Sequence, residues 1–283
     1  MKIVRSVFSA VIIFLFAASI ACAVEIGPDP TSDLLNGDGS FAVTSVKISS
    51  TSVTGFGGGT IYYPTTAGSY GVIVVAPGYT ATNSQVMWFA KRLATHGFVT
   101  MAMNFISMLD LVEWRATQMA TAVKYMTNSS PTAVRSLIDT SRRAVAGHSM
   151  GGGATLVASK KDSTLKAGIP MTPFSLTTTS FSTMMVPQMI FGADGDTTAA
   201  ISTHATKFYN SIPTSTSKAY AILNNAVHST PTSTDERIGR YGVAWAKRFV
   251  DGDTRYSTFL CGDEATAYNT SARFDSYQST CPY

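Results

Sequence analysis

The stretch "YGVIVVAP", residues 70–77, constrains the fold more than any other part of the chain. It is a continuous Val/Ile-rich run closed by a proline, and a strand of that kind must be buried on both faces. Parallel sheets covered by helices on both sides meet that demand. The chain before it reads differently. "AVTSVKIS" and "GGTIYYP" alternate apolar with polar residues between Gly and Pro punctuation, as an antiparallel hairpin or meander does. The chain after it alternates strand-like and helix-like segments. "FVTMAMNF", "RRAVAG", "AGIPMTPF", "VPQMIFGAD" and "SKAYAILNN" read as strands.

Between them "SQVMWFAKRLATHG" carries Val86, Ala90 and Leu93 on one face and stops at Gly97, a plausible C-cap. "LVEWRATQMATAVKYMTN" sets Leu111, Met119, Ala122, Val123 and Met126 near one stripe. "GGGATLVASKK" and "STHATKFYNSI" read as further helices. "DERIGRYGVAWAKRFVDG" reads as a last amphipathic helix, with Ile238, Tyr241, Trp245 and Phe249 inward. The pattern predicts an α/β fold: a central, mostly parallel sheet opened by antiparallel strands, with right-handed crossovers and helices on both faces. No repeat or linker interrupts residues 24–283, so one domain is expected. Its first residues, "EIGPDPTSDLLNGDGS", read as turn-rich and extended.

Residues 1–23 read as a secretory signal peptide. Lys2 and Arg5 precede a short apolar run and an A-x-A site at Ala21-Cys22-Ala23, with cleavage expected after Ala23. The competing reading is a lipoprotein signal that keeps Cys22, but Ser19 stands where a large apolar residue would belong. Cleavage leaves Cys261 and Cys281 as a pair, which in an exported protein is expected to be a disulfide. Loss of two basic residues takes the formal net charge from +4 to +2. With no basic cluster interleaved with aromatics, nucleic acid is not an expected partner. No second long apolar run follows, so a soluble protein without stable membrane association is expected, extracellular or alternatively periplasmic, and a monomer.

The sharpest candidate for chemistry is Gly147-His148-Ser149-Met150-Gly151, a G-x-S-x-G match between a strand and a helix. A serine hydroxyl needs a base to take its proton, and the base needs a third group to hold its tautomer. Past two later strands the chain supplies Asp194 and Asp196, then His228. Of the other histidines, His96 reads as a dipole partner at a helix end, His148 adjoins the serine, and His204 lies in a helix-like segment. His228 is therefore the expected base. Spacing leaves Asp194 and Asp196 open as the acid, the other being free to cap the following helix. Two oxyanion donors are expected: the N–H of Met150, and one from the loop after the apolar strand, at Tyr79.

Together "GPDPT", "GGTIYYP", "VAPGYT", "RLATHGFV", "GHSMGGG", "VPQMIFGADGD" and "GVAWAKRFVDGDTRYSTFLCG" resemble the secreted bacterial cutinases and poly(ethylene terephthalate) hydrolases, an α/β-hydrolase family. The resemblance spans nearly the whole of residues 24–283. It implies Ser149, Asp196 and His228 as triad, Tyr79 and Met150 as oxyanion donors, a lidless shallow cleft, and a Cys261–Cys281 disulfide. Tyr79, Phe174 and His148 are the residues expected to touch substrate. Phe174 stands where members often carry Trp. Ala193 and Thr230 stand where some members carry a second disulfide, and His204 with Phe208 is expected to restrict ring motion beside the cleft. The implied activity is hydrolysis of cutin-like or synthetic polyesters through an acyl-enzyme, without metal or cofactor. The alternatives are a lipase or small-ester carboxylesterase, a non-catalytic binding module, and a peptidase.

Overall fold

A computed structural model of the chain describes residues 24–270 and 272–283. The expected signal peptide, with its Cys22, lies outside these residues. One sheet of nine strands runs through the molecule: β1 (Val43–Ile48), β2 (Gly59–Pro64), β3 (Tyr70–Ala76), β4 (Phe98–Met103), β5 (Ile138–His148), β6 (Ala167–Met171), β7 (Gln188–Ala193), β8 (Lys218–Leu223) and β9 (Phe274–Ser279). Their spatial order is β1-β2-β4-β3-β5-β6-β7-β8-β9. The six from β4 to β8 in that order pair in parallel, while β1–β2, β2–β4 and β8–β9 are antiparallel. This is the α/β architecture expected from the sequence.

Burial explains the two styles of strand. Every residue of β3, β4, β6, β7 and β8 is buried, whereas edge strands β1 and β9 expose much of their length. Along β3, Ile73 and Val75 enter one core with Phe89 of α2 (Met87–Thr95) and Trp245 of α7 (Glu236–Ala246). Val72 and Val74 enter the opposite core. That core contains Met119 of α3 (Val112–Asn128), Leu156 of α5 (Met150–Lys161) and Phe208 of α6 (Ala205–Ser211). Each fully buried side chain of this size contributes about 1.5–3 kcal/mol, so an unbroken apolar run is what a two-faced position selects.

Several expectations need correction. The N-terminal segment is not wholly extended: Ser32–Asn36 forms α1, capped by Thr31 Oγ1 on the Leu34 N–H at 3.1 Å. The short helix α4 (Thr132–Arg135) leads into β5. After Ala246 the chain loosens into a π-helical turn, Lys247–Asp251. Then α8 (Thr258–Cys261), α9 (Asp263–Tyr268) and β9 follow, so the helix ending near Phe249 is not the last element. Strand β9 hid because an edge strand buries little and needs no apolar run. Leu111 is 58% exposed rather than inward. It is the extended cap residue of α3 (φ −73°, ψ 161°), where helical phase does not yet apply. The Cys261–Cys281 disulfide is present, with Cα atoms 5.7 Å apart across a sequence separation of 20. Closing a loop of that size stabilises by about 3 kcal/mol in the chain-entropy model.

Candidate active site

Strand β3 lies between β4 and β5, the point where the sheet's winding reverses, and crevices for ligands open beyond the strand ends there. Ser149 sits just past β5, at φ 55° and ψ −121°, directly before α5. The helix start passes so close to β3 that a Cβ on Gly151 would lie 2.5 Å from the Pro77 carbonyl oxygen, which excludes any side chain. The Ser149 N–H donates to the Met171 carbonyl at the end of β6 (3.0 Å), and the Ser149 carbonyl accepts from Gly153 and Phe174, both at 2.9 Å. The turn is thus tied to its neighbours on both sides.

The loop after β8 brings His228 Nε2 to 2.8 Å from Ser149 Oγ, and its Nδ1 to 2.8 Å from Asp196 Oδ2 on the loop after β7. The other oxygen of Asp196 accepts the N–H groups of Thr198 (2.9 Å) and Ala199 (2.7 Å). Burial works against its charge, yet the bonds from His228 and these amides hold the carboxyl below the ordinary carboxylate range. Of the two acids that spacing left open, Asp196 is the one bonded to His228. Asp194 does not cap a helix. Its carboxylate accepts from Gly195 (2.8 Å), Ala226 (2.9 Å) and Asn225 (2.9 Å), and so fastens the acid loop to the loop that carries His228.

Among the described residues, positive φ outside glycine occurs at Thr80, Ser149, Thr172 and Asn225, each past a strand end around this site. Strain of that kind persists only where surrounding bonds over-determine it. Thr172 Oγ1 and His148 Nε2 both donate to the His228 carbonyl, at 3.2 and 2.9 Å. His148 is therefore a buried support beneath His228, only 4% exposed, and does not offer the surface for substrate that was expected of it. Burial pushes its imidazole down to about 4. His96 also needs correction: burial pushes it down to about 3, so it is neutral and cannot serve as a charged dipole partner.

The Gly78–Tyr79 loop runs beside the serine; a Cβ on Gly78 would be 3.1 Å from Ser149 Cβ. Tyr79 is half exposed. Met150 opens α5, where the first amides of a helix have no intrahelical acceptor. Opposite, Phe174 stacks on His204 (centroids 4.9 Å apart, 20° between planes), and His204 sets its ring edge-on to Phe208 at 5.7 Å. His204 lies just ahead of α6 rather than within it. No helix interrupts residues 172–187 between β6 and β7, and no cluster of metal-ligating side chains occurs among the described residues.

Sequence reasoning missed Arg115. Its guanidinium is fully buried, lies 4.3 Å from the centre of the Phe105 ring, and spends its donors on carbonyls: Gly78 (3.1 Å), Met108 (2.6 Å), Asp110 (2.7 Å) and, at 3.4 Å, Pro77. It clamps the Tyr79 loop to the chain before α3. The signal was present, since position 115 falls one turn before Met119 on the inward stripe of α3, where a charge is out of place.

A family model described as PET hydrolase-like matches residues 18–282. The cutinase est1 of Thermobifida alba is 48% identical over 267 residues, covering 94% of this chain and 89% of that protein. Cutinase 1 of Thermobifida cellulosilytica is 47% identical over 261 residues, covering 92% and 98%. A bis(hydroxyethyl) terephthalate hydrolase of Streptomyces coelicolor is 43% identical over 262 residues, covering 92% and 82%. With the sheet, the elbow at Ser149 and a match over nearly its whole described length, this chain belongs to the PET hydrolase-like family of α/β-hydrolases.

Proposed function

We propose that this chain is an exported serine hydrolase that cleaves carboxylic esters of cutin-like or synthetic polyesters, with Ser149, His228 and Asp196 as its triad. One observation carries the reading: the unbroken chain of 2.8 Å contacts from Ser149 Oγ through the His228 ring to Asp196. Relatives named as cutinases and as a terephthalate-ester hydrolase support the substrate class.

In this reading Ser149 Oγ attacks the ester carbonyl carbon while His228 Nε2 takes its proton. The oxyanion that forms is met by the N–H groups of Met150 and Tyr79, each worth about 2.7–4 kcal/mol in the transition state. The carbon–oxygen bond to the alcohol breaks, and His228 returns the proton to the leaving oxygen. Water then adds to the acyl-enzyme, giving a proton to His228. The acid leaves as Ser149 Oγ is reprotonated. Asp196 keeps the His228 Nδ1 proton in place and offsets the charge of the imidazolium. Tyr79 and Phe174 flank the serine and form the walls against which an acyl group lies. The basic, apolar and small-residue order of residues 1–23 and the single disulfide support export, and a monomer is the expected state.

The test is hydrolysis of p-nitrophenyl butyrate by wild type and by Ser149→Ala. Wild type should turn over and be labelled at Ser149 by a fluorophosphonate, and the variant should do neither. A variant that kept its rate would sink the reading. Product release from a polyester film, set against rates on long-chain triglycerides, separates polyester hydrolysis from lipase action.

A further inference from the structure

The loop that carries His228, residues 224–235 between β8 and α7, is fixed by the groups of the site over only part of its length. Asp194 fastens its start by accepting the Asn225 and Ala226 N–H groups, and His148 with Thr172 holds the His228 carbonyl. Beyond His228 the chain makes a 3₁₀ turn, Thr230–Thr232, whose bonds close on the loop itself. The Thr230 N–H donates to the Val227 carbonyl, and the Thr232 N–H and hydroxyl both donate to Ser229. A turn bonded in that way keeps its shape but is free to swing as a body. Among the described residues, one hydrogen bond from elsewhere reaches residues 229–234. Trp88 Nε1–H donates to the carbonyl of the buried Pro231 at 2.8 Å.

The indole is delivered by a helix that cannot slide. Phe89, Ala90 and Leu93 of α2 are fully buried, and a Cβ on Gly242 of α7 would lie 2.5 Å from the Phe89 ring, so the ring fills the space a side chain would need. Helix α7 in turn starts where the His228 loop ends, with the Asp235 carboxylate accepting the Arg237 and Ile238 N–H groups. The seam between α2 and α7 therefore sets the height at which Trp88 meets Pro231. Behind Tyr79 the chain is pinned before it enters α2. The Asn83 N–H donates to Asn104 Oδ1 (2.7 Å), and its side chain donates to the Ala102 carbonyl (3.2 Å). Packing alone does not demand a paired indole in this molecule. Trp245 is fully buried, and its Nε1–H has no acceptor among the described residues.

We propose that Trp88 is a positioning residue for the base: its indole N–H fixes the outer turn of the His228 loop and so keeps the imidazole in line between Asp196 and Ser149. The proposal rests on the serine-hydrolase reading above and adds to it a residue outside the triad and the oxyanion donors. Both ring nitrogens of His228 sit at 2.8 Å from their partners, and contacts of that kind weaken steeply when their direction changes. Asp194, His148 and Thr172 hold the loop from within the site, and Trp88 holds it from the helix layer. Releasing the turn displaces the base and leaves the oxyanion donors and the acyl walls where they are. The signature is a loss of kcat at constant KM.

Two changes at position 88 test it. Trp88→Phe keeps an aromatic ring in the seam and removes the donor, and benzothienylalanine in place of Trp88 keeps the bicyclic ring and removes the N–H alone. On p-nitrophenyl butyrate both are expected to lose about three- to tenfold in kcat, the span of one net hydrogen bond, with KM within about twofold. Both should melt within about 3 °C of wild type. A double-mutant cycle with His228→Ala then separates positioning from structure. The residual turnover of that variant uses the serine, the oxyanion donors and binding but no base, so the changes at Trp88 should have no effect there. Unchanged kcat in both variants, or a rise in KM alone, overturns the proposal even where Tm falls. So does a kcat loss that persists undiminished in His228→Ala, because the indole would then act on another part of the site. Wild type inactive on the soluble ester, or Ser149→Ala as active as wild type, would instead overturn the hydrolase reading.

Discussion

The two sides of the Ser149 mouth are built by opposite rules. On the β7–β8 side the side chains do the fixing. Asp194 takes three backbone N–H groups, Asp196 takes two and the His228 ring, and His148 and Thr172 share the His228 carbonyl. On the β3–β4 side Ile106, Met108, Leu109, Leu111 and Trp114 stand in water, and one buried guanidinium gathers the backbone carbonyls. The difference follows from what each side must hold. A base and its acid need fixed directions, which only paired polar groups give in a partly desolvated place. The second side holds only stretches of backbone, the loop of Tyr79 and the chain before α3, and one guanidinium reaches several of their carbonyls. Substitutions of the paired groups on the first side should therefore act on turnover, and on the second side the residue whose change should do so is Arg115.

The contrast breaks most sharply at Asp196. Asp196→Asn keeps the shape but no longer favours the Nδ1–H tautomer of His228, and it leaves the imidazolium unopposed. A kcat loss of about 10⁴-fold on p-nitrophenyl butyrate is expected with the melting curve little changed. A loss below tenfold would mean that the contact to His228 is not the one used. Arg115→Lys is the next largest. A lysine keeps the charge but cannot fork to carbonyls on both segments, so the Tyr79 loop should drift while Ser149 and His228 stay in place. A kcat loss of about 10²-fold with KM nearly constant is expected, as for a weakened oxyanion donor. A rise in KM alone would show that the clamp serves binding and not the transition state.

Much of this was legible in the residues, and the misses share a cause. The run at 72–75 announced a central strand because burial on both faces forbids polar residues there. Ser149 and His228 could be found because each follows a strand in a set order. Asp194 and Asp196 stand two residues apart past the same strand, and only the closed loop shows which of them reaches His228. The amides of Thr198 and Ala199 turn Asp196 toward His228, while those of Asn225 and Ala226 engage Asp194. The place of Arg115 on the inward stripe of α3 marks it as buried, but its partners, carbonyls 37 and 38 residues away, are in no local pattern. His148 looked like a neighbour of substrate because the sequence shows adjacency to the serine but not the direction of the ring. Strand β9 and the exposed cap Leu111 were missed where burial, rather than pattern, decides the outcome.

Asp194 sharpens the comparison from within the polar side, because it is as well bonded as Asp196 yet touches none of the reacting atoms. Asp194→Ala removes the acceptor of three N–H groups on loops that water reaches. A loss of about 1–2 kcal/mol is expected, or about 2–4 °C in Tm for a chain of this size, with kcat falling only a few-fold. Its carboxyl is held below the ordinary range: its slight burial opposes this, but the Ala226, Asn225 and Gly195 amides outweigh it. The stabilisation is therefore present above the unfolded carboxylate range near pH 4 and fades as pH falls through the folded value. If Asp194→Ala matched Asp196→Asn in kcat loss with Tm unchanged, the division between fastening and chemistry would be wrong.

The smallest effect belongs to His148, and it is a slope rather than a step. Its folded pKa is pushed to about 4 by burial against an unfolded value near 6.5. Below pH 6.5 the unfolded chain takes up a proton that the native imidazole refuses, so stability falls as pH is lowered toward 4. One such group contributes at most about 1.4 kcal/mol per pH unit. His96, pushed to about 3, adds a similar slope from a place outside the site, against the Gly37 carbonyl. His148→Gln can still donate to the His228 carbonyl but does not titrate. Its Tm should fall less steeply than that of wild type between pH 6 and 4.5, and its kcat at pH 8 should stay within a few-fold. His96→Asn should flatten the slope in the same way and leave kcat untouched. Equal slopes in wild type and His148→Gln would mean that the ring beneath the base is protonated in the native state. In that case the support under His228 carries a charge, and the polar side of the mouth is not held by neutral hydrogen bonds there.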